Sequence, residues 1–421
     1  MRRKFLLILT LVFVIALAGC GNADKENAPA DSTPSAAVEQ TTPEPSATPE
    51  ISATPELTAT PEPTATPTPT PVPAPEIHLK DVFEEHGMKL GTCLTTNMIS
   101  NVNYSKIIRE NFNSITMENA MKPDSTLSQK QSQENGYLTV YFNPDAKKML
   151  QWAQDNNFAV RGHTIAWYSQ TPEWIFHENF DSSQPYVSRE EMLKRLEDCI
   201  RQLFEQLEEM GYSDLFYAYD VANEAWMENG TIRQSNWTKT IGDDYLWYAF
   251  YYADKYAPEN IGLYYNDYNE QFKTQTLLNF VNTLVDENGR YLIDGIGFQA
   301  HLYTTDSLTD YFNTVDTLAA TGLKIELTEL DVCLGKYNAP VMATDENLRK
   351  QGQFYYDLIN GLFERVDNGT LNMDALTIWG FADGLSWRKE YNPVLYNRKL
   401  EPKYSYYAVG QLKEFSGFEE E

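Results

Sequence analysis

The chain predicts an α/β fold, a (β/α)8 barrel, and three observations carry the prediction. Eight short apolar, β-forming tracts recur between residues 79 and 415. Amphipathic stretches of ten to twenty residues with helical periodicity fill most of the gaps between them. Polar clusters stand at the ends of nearly every tract, where a barrel carries its loops. An open doubly wound sheet, the alternative fold, would gather them at one switch point.

In chain order the predicted strands are 89–94, 114–117, 159–164, 216–222, 262–266, 295–300, 324–331 and 376–381. Helical spacing is clearest over 145–156, 243–257, 273–286 and 346–366. Ser188-Arg-Glu-Glu191 reads as a capping box that opens a further helix running to about Met210. Strand, helix, strand in steady alternation over about 346 residues is the barrel's pattern, with enlarged loops.

Two segments precede this body. Arg2-Arg3-Lys4 and the apolar run Phe5 to Ala18 form a leader, which belongs outside the fold. Its end, Leu17-Ala18-Gly19-Cys20, resembles the lipobox of bacterial lipoproteins. That resemblance implies cleavage after residue 19, lipid on Cys20, and an extracytoplasmic protein anchored to a membrane or cell surface. An ordinary secretory signal or an uncleaved anchor would be the alternatives; the apolar run is short for a span. Residues 20–75 are rich in Pro, Thr, Ala, Ser and Glu and repeat Thr-Pro-Glu every six residues from Thr42 to Glu62. Such a tract cannot build a core and favours extended polyproline II, a tether or a disordered spacer. The expected division is therefore 1–19 leader, 20–75 linker and 76–421 catalytic body.

Charge narrows the partners. The formal net charge is −27, and removing three basic residues with the leader makes it −27 − 3 = −30. Nucleic acid and anionic membrane surfaces would be repelled, whereas a neutral polysaccharide carries no such penalty. Nothing in the chain implies a cofactor or metal: there is no His-Glu-x-x-His, and the five His are scattered. Gly295-Ile-Gly297-Phe-Gln-Ala300 fits a dinucleotide-loop pattern but continues as an apolar strand where that motif needs a helix to open. Beyond Cys20, an odd three cysteines remain, Cys93, Cys199 and Cys333, so at most one disulfide can form. Cys93 and Cys333 lie in apolar tracts that suit buried thiols.

The most informative residues are two glutamates at predicted strand ends. Glu224 closes Asp220-Val-Ala-Asn223-Glu224, and Glu329 closes Ile325-Glu-Leu-Thr-Glu329 ahead of Asp331. A pair of carboxyls so placed is what cleavage of a glycosidic bond requires, one to protonate the leaving oxygen and one to attack or to hold water. In a chain with 60 Asp and Glu the competing reading is a pair of surface acids. Other strand ends weigh against it. They carry Glu118-Asn119-Ala-Met-Lys122, His163 through Trp167 to Gln170, Asn266-Asp-Tyr268-Asn269, Gln299-Ala-His301, Trp379 and Ser386-Trp387.

Taken together, these motifs resemble glycoside hydrolase family 10, the endo-β-1,4-xylanases, over about residues 79–415. The resemblance implies a retaining hydrolase acting on xylan and xylo-oligosaccharides. Glu224 matches the acid/base and Glu329 the nucleophile, with His301 and Asp331 hydrogen-bonding around Glu329. A retaining enzyme holds its carboxyls roughly 5–5.5 Å apart. Asn223 matches the contact to the 2-hydroxyl of the reacting sugar. Glu118, Asn119, Lys122, His163, Gln170 and Gln299 match polar contacts on the non-reducing side. Trp167 and Tyr268 join the expected substrate-binding set, and Trp379 and Trp387 wall the cleft, where flat indoles cover pyranose C–H faces and crowd a hydroxymethyl group.

Three departures stand out. Tyr168 replaces a second histidine, Ala222 replaces Val, and Gly380-Phe381-Ala382 replaces a commoner Val-Thr tract. Tyr168 is expected to change the inner subsites, and Phe381 and Ala382 the cleft wall. The body is expected to be a monomer. Rival readings are a β-glycanase of other specificity on the same barrel and a non-catalytic xylan-binding lipoprotein.

Overall fold

The computed structural model describes residues 75–418. The expected leader, Cys20 and all but the last position of the expected linker lie outside those residues. Eight parallel strands close into a barrel: β1 (Lys89–Leu94), β2 (Ser114–Met117), β3 (Ala159–Trp167), β4 (Phe216–Asn223), β5 (Gly262–Asp267), β6 (Gly295–Phe298), β7 (Lys324–Cys333) and β8 (Ala375–Ile378). Each pairs with its neighbour in chain order, and β8 closes the ring by pairing with both β7 and β1, Lys89 opposite Ala375 and Leu327 opposite Leu376. The open sheet is thereby excluded. All eight predicted strands are present, with ends moved by a few residues.

Helices between strands begin where short polar side chains accept otherwise unpaired backbone N–H groups. Asn143 caps Pro144–Asp155, Ser307 caps Leu308–Ala319 and Thr344 caps Asp345–Asp367. Ser188 Oγ accepts from Glu191 N at 3.2 Å to open Arg189–Glu209. The predicted capping box is only half made. Glu191 turns its carboxylate to Arg195 Nε at 2.9 Å, and that guanidinium also holds the carbonyls of Ile175 and His177. The helix predicted over 273–286 stops at Val281, because Asp286 and Arg290 close a tight turn with Gly289 at φ +79°.

The barrel interior is unusually polar. Arg161 on β3 reaches Glu326 on β7 at 2.6 Å and also pairs with Asp220 on β4, all three about 1% exposed. Since β3 and β7 are not neighbours, this ion pair spans the barrel. Tyr264 donates to Glu326 at 2.8 Å and lies under the Arg161 guanidinium. The dinucleotide-like glycines belong to this packing. A Cβ on Gly295 would stand 2.3 Å from the Tyr264 ring, and one on Gly297 would stand 2.4 Å from Asn266 Oδ1. Cys93, Cys199 and Cys333 are unpaired, with Cys93 and Cys333 buried as expected.

Candidate active site

The carboxyl-terminal ends of the strands deliver the predicted residues to one place. Thirteen of the fifteen proposed catalytic and binding residues line a single cavity of about 290 Å³, which has no other lining residue. The two outside it are informative. Asp331 is fully buried behind the wall, and Tyr268 lines an adjoining cavity of about 850 Å³. Glu224, Gln299, His301 and Trp387 face both spaces, so the two are halves of one cleft divided at Glu224.

Glu224 is the first residue beyond β4 and sits at φ +53°, a left-handed conformation that a side chain with a Cβ rarely adopts. Three bonds hold it there. Its N–H donates to Asn266 O at 2.9 Å, its carbonyl accepts from Arg233 Nε at 2.8 Å, and the next N–H donates to Tyr265 Oη at 2.9 Å. Strain that the surroundings over-determine in this way is characteristic of a functional position. It turns the carboxylate into the cleft, where Gln299 Nε2 donates to Oε1 at 3.0 Å.

Glu329, near the end of β7, is 6% exposed. Asn266 Nδ2 donates to its Oε1 at 3.0 Å, and His301 Nε2 stands 3.4 Å from Oε2. Burial alone would push this carboxyl up. The His301 hydrogen bond, with the positive charges of His163, His301 and Lys122, outweighs burial and holds it down at about 2. His301 faces a second carboxylate through Nδ1, 3.1 Å from Asp331 Oδ2. Burial opposes charge on the ring, but Asp331 and Glu329 together raise it to about 10. An imidazole with a carboxylate on each nitrogen is satisfied as the doubly protonated cation. Asp331 therefore touches Glu329 only through His301, a refinement of the expected arrangement.

Asp331 is itself held by two further donors, Trp387 Nε1 at 3.1 Å and Arg388 Nη1 at 2.8 Å. Amides connect the two glutamates. Asn266 Nδ2 and Gln299 Nε2 converge on Asn223 Oδ1 at 3.0 and 3.2 Å, which leaves the Asn223 NH2 facing Glu224 Oε1 at 3.3 Å. Turning that amide over would gain the Asn266 carbonyl and the Trp167 indole but set NH2 against two other NH2 groups. The first orientation satisfies more donors and keeps an N–H toward the cleft.

On the far side from Tyr268 the smaller cavity is tightly cross-linked. Lys122 Nζ donates to Asn119 Oδ1 at 3.2 Å and Gln170 Oε1 at 3.0 Å, and rides 4.9 Å above the Trp167 ring. Burial raises the Glu118 carboxyl, with Lys122 opposing. His163 Nδ1 meets Asp220 Oδ2 at 2.8 Å, tying the cleft to the Arg161 network below. Trp379 is buried as a wall, while Trp387 is 59% exposed at the rim.

Two expectations are corrected. Phe381 and Ala382 do not form the cleft wall; both are buried, with Phe381 edge-on to Tyr104 and Tyr396. Tyr168 lines the larger cavity, with its hydroxyl toward Glu224 and its ring beneath Arg233, so its effect falls on that side and not on the inner subsites. Three contributing residues had been given no role. Asn266 stood in the fifth strand's tract, and Arg388 directly follows Trp387. Arg233 lies in a loop with no motif, and only its contacts with Glu224 O and Tyr268 Oη reveal it.

Residues 78–412 match glycosyl hydrolase family 10. A bifunctional endo-1,4-beta-xylanase XylA of Ruminococcus flavefaciens is 36% identical over 79% of this chain and 34% of its own length. Endo-1,4-beta-xylanase B of Butyrivibrio fibrisolvens is 32% identical over 79% of this chain and 53% of its own. The chain thus spans about a third to a half of these curated relatives. Among solved structures, the CBM22-1–GH10 modules of Clostridium thermocellum xylanase 10B, complexed with xylohexaose, superpose with a TM-score of 0.72 at 31% identity, covering 81% of this chain and 68% of that one. TsXylA of Thermoanaerobacterium saccharolyticum, as a mutant complexed with xylotetraose, gives 0.69 at 30%, covering 79% and 98%. With a closed eight-stranded barrel, two cleft glutamates and a family match across nearly the whole described body, the chain belongs to glycosyl hydrolase family 10.

Proposed function

We propose that the protein is an endo-β-1,4-xylanase that hydrolyses xylan with retention of anomeric configuration. The observation that carries the reading is the contrast between the two glutamates. Glu329 is buried, held ionised by His301 and suited to attack. Glu224 faces both halves of the cleft, where a leaving oxygen and later a water can reach it.

In the first step Glu224 gives its proton to the glycosidic oxygen as a Glu329 oxygen bonds to the anomeric carbon and the carbon–oxygen bond to the leaving sugar breaks. In the second, Glu224 takes a proton from water, whose oxygen displaces Glu329 from the same carbon. Two inversions give net retention. Asn223 turns an N–H to the 2-hydroxyl of the reacting sugar. Glu118, Asn119, Lys122, His163, Trp167, Gln170 and Gln299 hold the non-reducing side. Trp379 and Trp387 wall the reacting sugar, and Tyr268 receives the sugar beyond it.

The test is hydrolysis of unsubstituted β-1,4-xylan, followed by proton NMR of new reducing ends. Initial β-anomer is expected. Initial α-anomer would mean inversion and overturn the mechanism. No product from xylan, with turnover of cellulose or mannan, would transfer the activity to another glycan. Binding without turnover of any of these would make the protein a capture lipoprotein.

The same proposal places residues 1–19 as a cleaved leader, Cys20 as the lipidated residue, 20–75 as a tether and 76–421 as the catalytic body, a monomer at the outer face of a membrane. Fractionation of the producing cells should find it with membranes, and Cys20→Ala should release it or abolish its processing.

A further inference from the structure

The larger half of the cleft carries features that the proposed function leaves unused. Seven aromatic side chains among the described residues are exposed, and four of them, Tyr168, Phe272, Tyr337 and Trp387, line this one cavity. Phe272 is 64% and Tyr337 74% exposed, so core packing accounts for neither. Exposed aromatics gathered on one concave surface mark a binding site more often than scattered ones do.

Both residues stand on anchored supports. Phe272 ends a short turn, Glu270–Phe272, whose Glu270 is buried. The next residue, Lys273, is locked by Asp267 and by the Trp226 carbonyl. Tyr337 is at the tip of a two-residue hairpin in which Gly335–Lys336 pairs with Ala339–Pro340. Gly335 is at φ +92°, where a Cβ would come within 2.4 Å of Ala339 O. Its N–H and carbonyl are tied to Thr304 and Thr305 at 3.1 and 3.2 Å. Rings presented on such supports cost little ordering when they bind.

Resting on the function proposed above, we infer that Phe272 and Tyr337 form stacking platforms for xylose units beyond the first one on the reducing side of the cleaved bond. Glu224 protonates the oxygen that leaves with that side of the chain. The cavity reached from Glu224 away from Glu118 and Lys122 is therefore the path of the departing polymer. The near end of this path belongs to Tyr268 and Tyr168; Phe272 and Tyr337 add aromatic faces to it that neither residue supplies. An enzyme gripping its substrate there cleaves long chains internally and releases longer reducing-end products than its smaller cavity would dictate.

The experiment compares wild type with Phe272→Ala, Tyr337→Ala and the double variant on two substrates. One is xylohexaose, labelled with ¹⁸O at its reducing end so that each cleaved bond is identified. The other is an aryl β-xylobioside, whose leaving group places no second sugar in the cavity. The ratio of kcat/KM on hexaose to that on the aryl substrate should fall about tenfold per platform removed, the factor that corresponds to 1.4 kcal/mol. Cleavage of the hexaose should also shift toward its reducing end. An unchanged ratio and cleavage pattern in the double variant would overturn the platforms while leaving the xylanase intact. Wild-type protein inactive on both substrates would overturn the underlying function and the platforms with it.

Discussion

Arg388 donates to Asp331 Oδ1 across 2.8 Å and brings a guanidinium to a carboxylate that is 0% exposed. Asp331 touches no substrate-facing surface, yet it holds His301, and His301 holds Glu329 in its ionised form. Arg388 is thus three links from the nucleophile. Arg388→Met should leave Asp331 with only Trp387 and His301 as donors and lower kcat by about ten- to hundredfold, as expected for losing a charge-assisted hydrogen bond. A positioning role is separated from a merely structural one by Arg388→Lys, which should restore part of kcat. A kcat that stays at the wild-type value in Arg388→Met would remove Arg388 from the chain.

The two glutamates should respond differently to leaving groups. Glu329→Ala should abolish turnover on every substrate, because no carboxylate remains to form the glycosyl-enzyme. Glu224→Ala should cost about 10²–10⁴ on xylan, where the departing alkoxide needs a proton, and far less on aryl xylosides with good leaving groups. Comparable losses on both substrate classes would contradict the role given to Glu224.

His301 sets the acid side of the pH profile. With Glu329 held at about 2, its protonation does not limit the wild-type reaction in mildly acidic solution. His301→Ala removes both the hydrogen bond and a positive charge, so the Glu329 carboxyl should rise by ~1 unit or more. The acid limb of kcat/KM should move to higher pH by that amount. An acid limb that stays fixed while kcat falls would show that His301 acts by some other route.

Much of this was legible in the sequence because the chemistry sits at strand ends. Once the eight apolar tracts are placed, Glu118, His163, Glu224, His301 and Glu329 follow, since a parallel barrel aims every such end at one face. Residues that act from loops left weaker signals. Arg233 and Tyr337 belong to no strand and gain meaning only from distant neighbours, Tyr268 in one case and Thr304 and Thr305 in the other. The failure at Phe381 and Ala382 has a different cause. They follow β8 directly, but Gly380 at φ +95° turns the chain, and both side chains enter the core between the barrel and its outer layer. Gly295–Ala300 similarly read as one strand. It breaks at Ala300, φ +55°, and it is this kink that redirects His301 toward Glu329.

The buried acids predict a protein most stable in mildly acidic solution. Burial raises Glu326 to about 8, with Arg161 opposing and Asp374 reinforcing the rise, and burial raises Glu270 to about 7. Asp374 Oδ1 is buried without a donor, which a proton on Glu326 would supply. A carboxyl whose folded value lies above its unfolded one makes the folded state bind more protons in between, so stability falls as pH rises from about 4.5 through 7 and 8. His301, raised to about 10, adds stability that is complete below about 6.5 and is lost as pH climbs to 10. Glu329 has the opposite sign: held at about 2, its contribution is present above about 4.5 and is lost on acidification toward 2. These signs place maximum stability near pH 4.5–6.5, with a continuous decline through neutrality. Glu326→Gln keeps the side-chain shape and removes one of the titrations responsible. Its Tm should depend less on pH between 5 and 8 than that of the wild type, converging with or exceeding it at the alkaline end. A wild-type Tm that rises from pH 5 to 8, or a Glu326→Gln profile parallel to the wild type, would mean that Glu326 is ionised throughout beside Arg161.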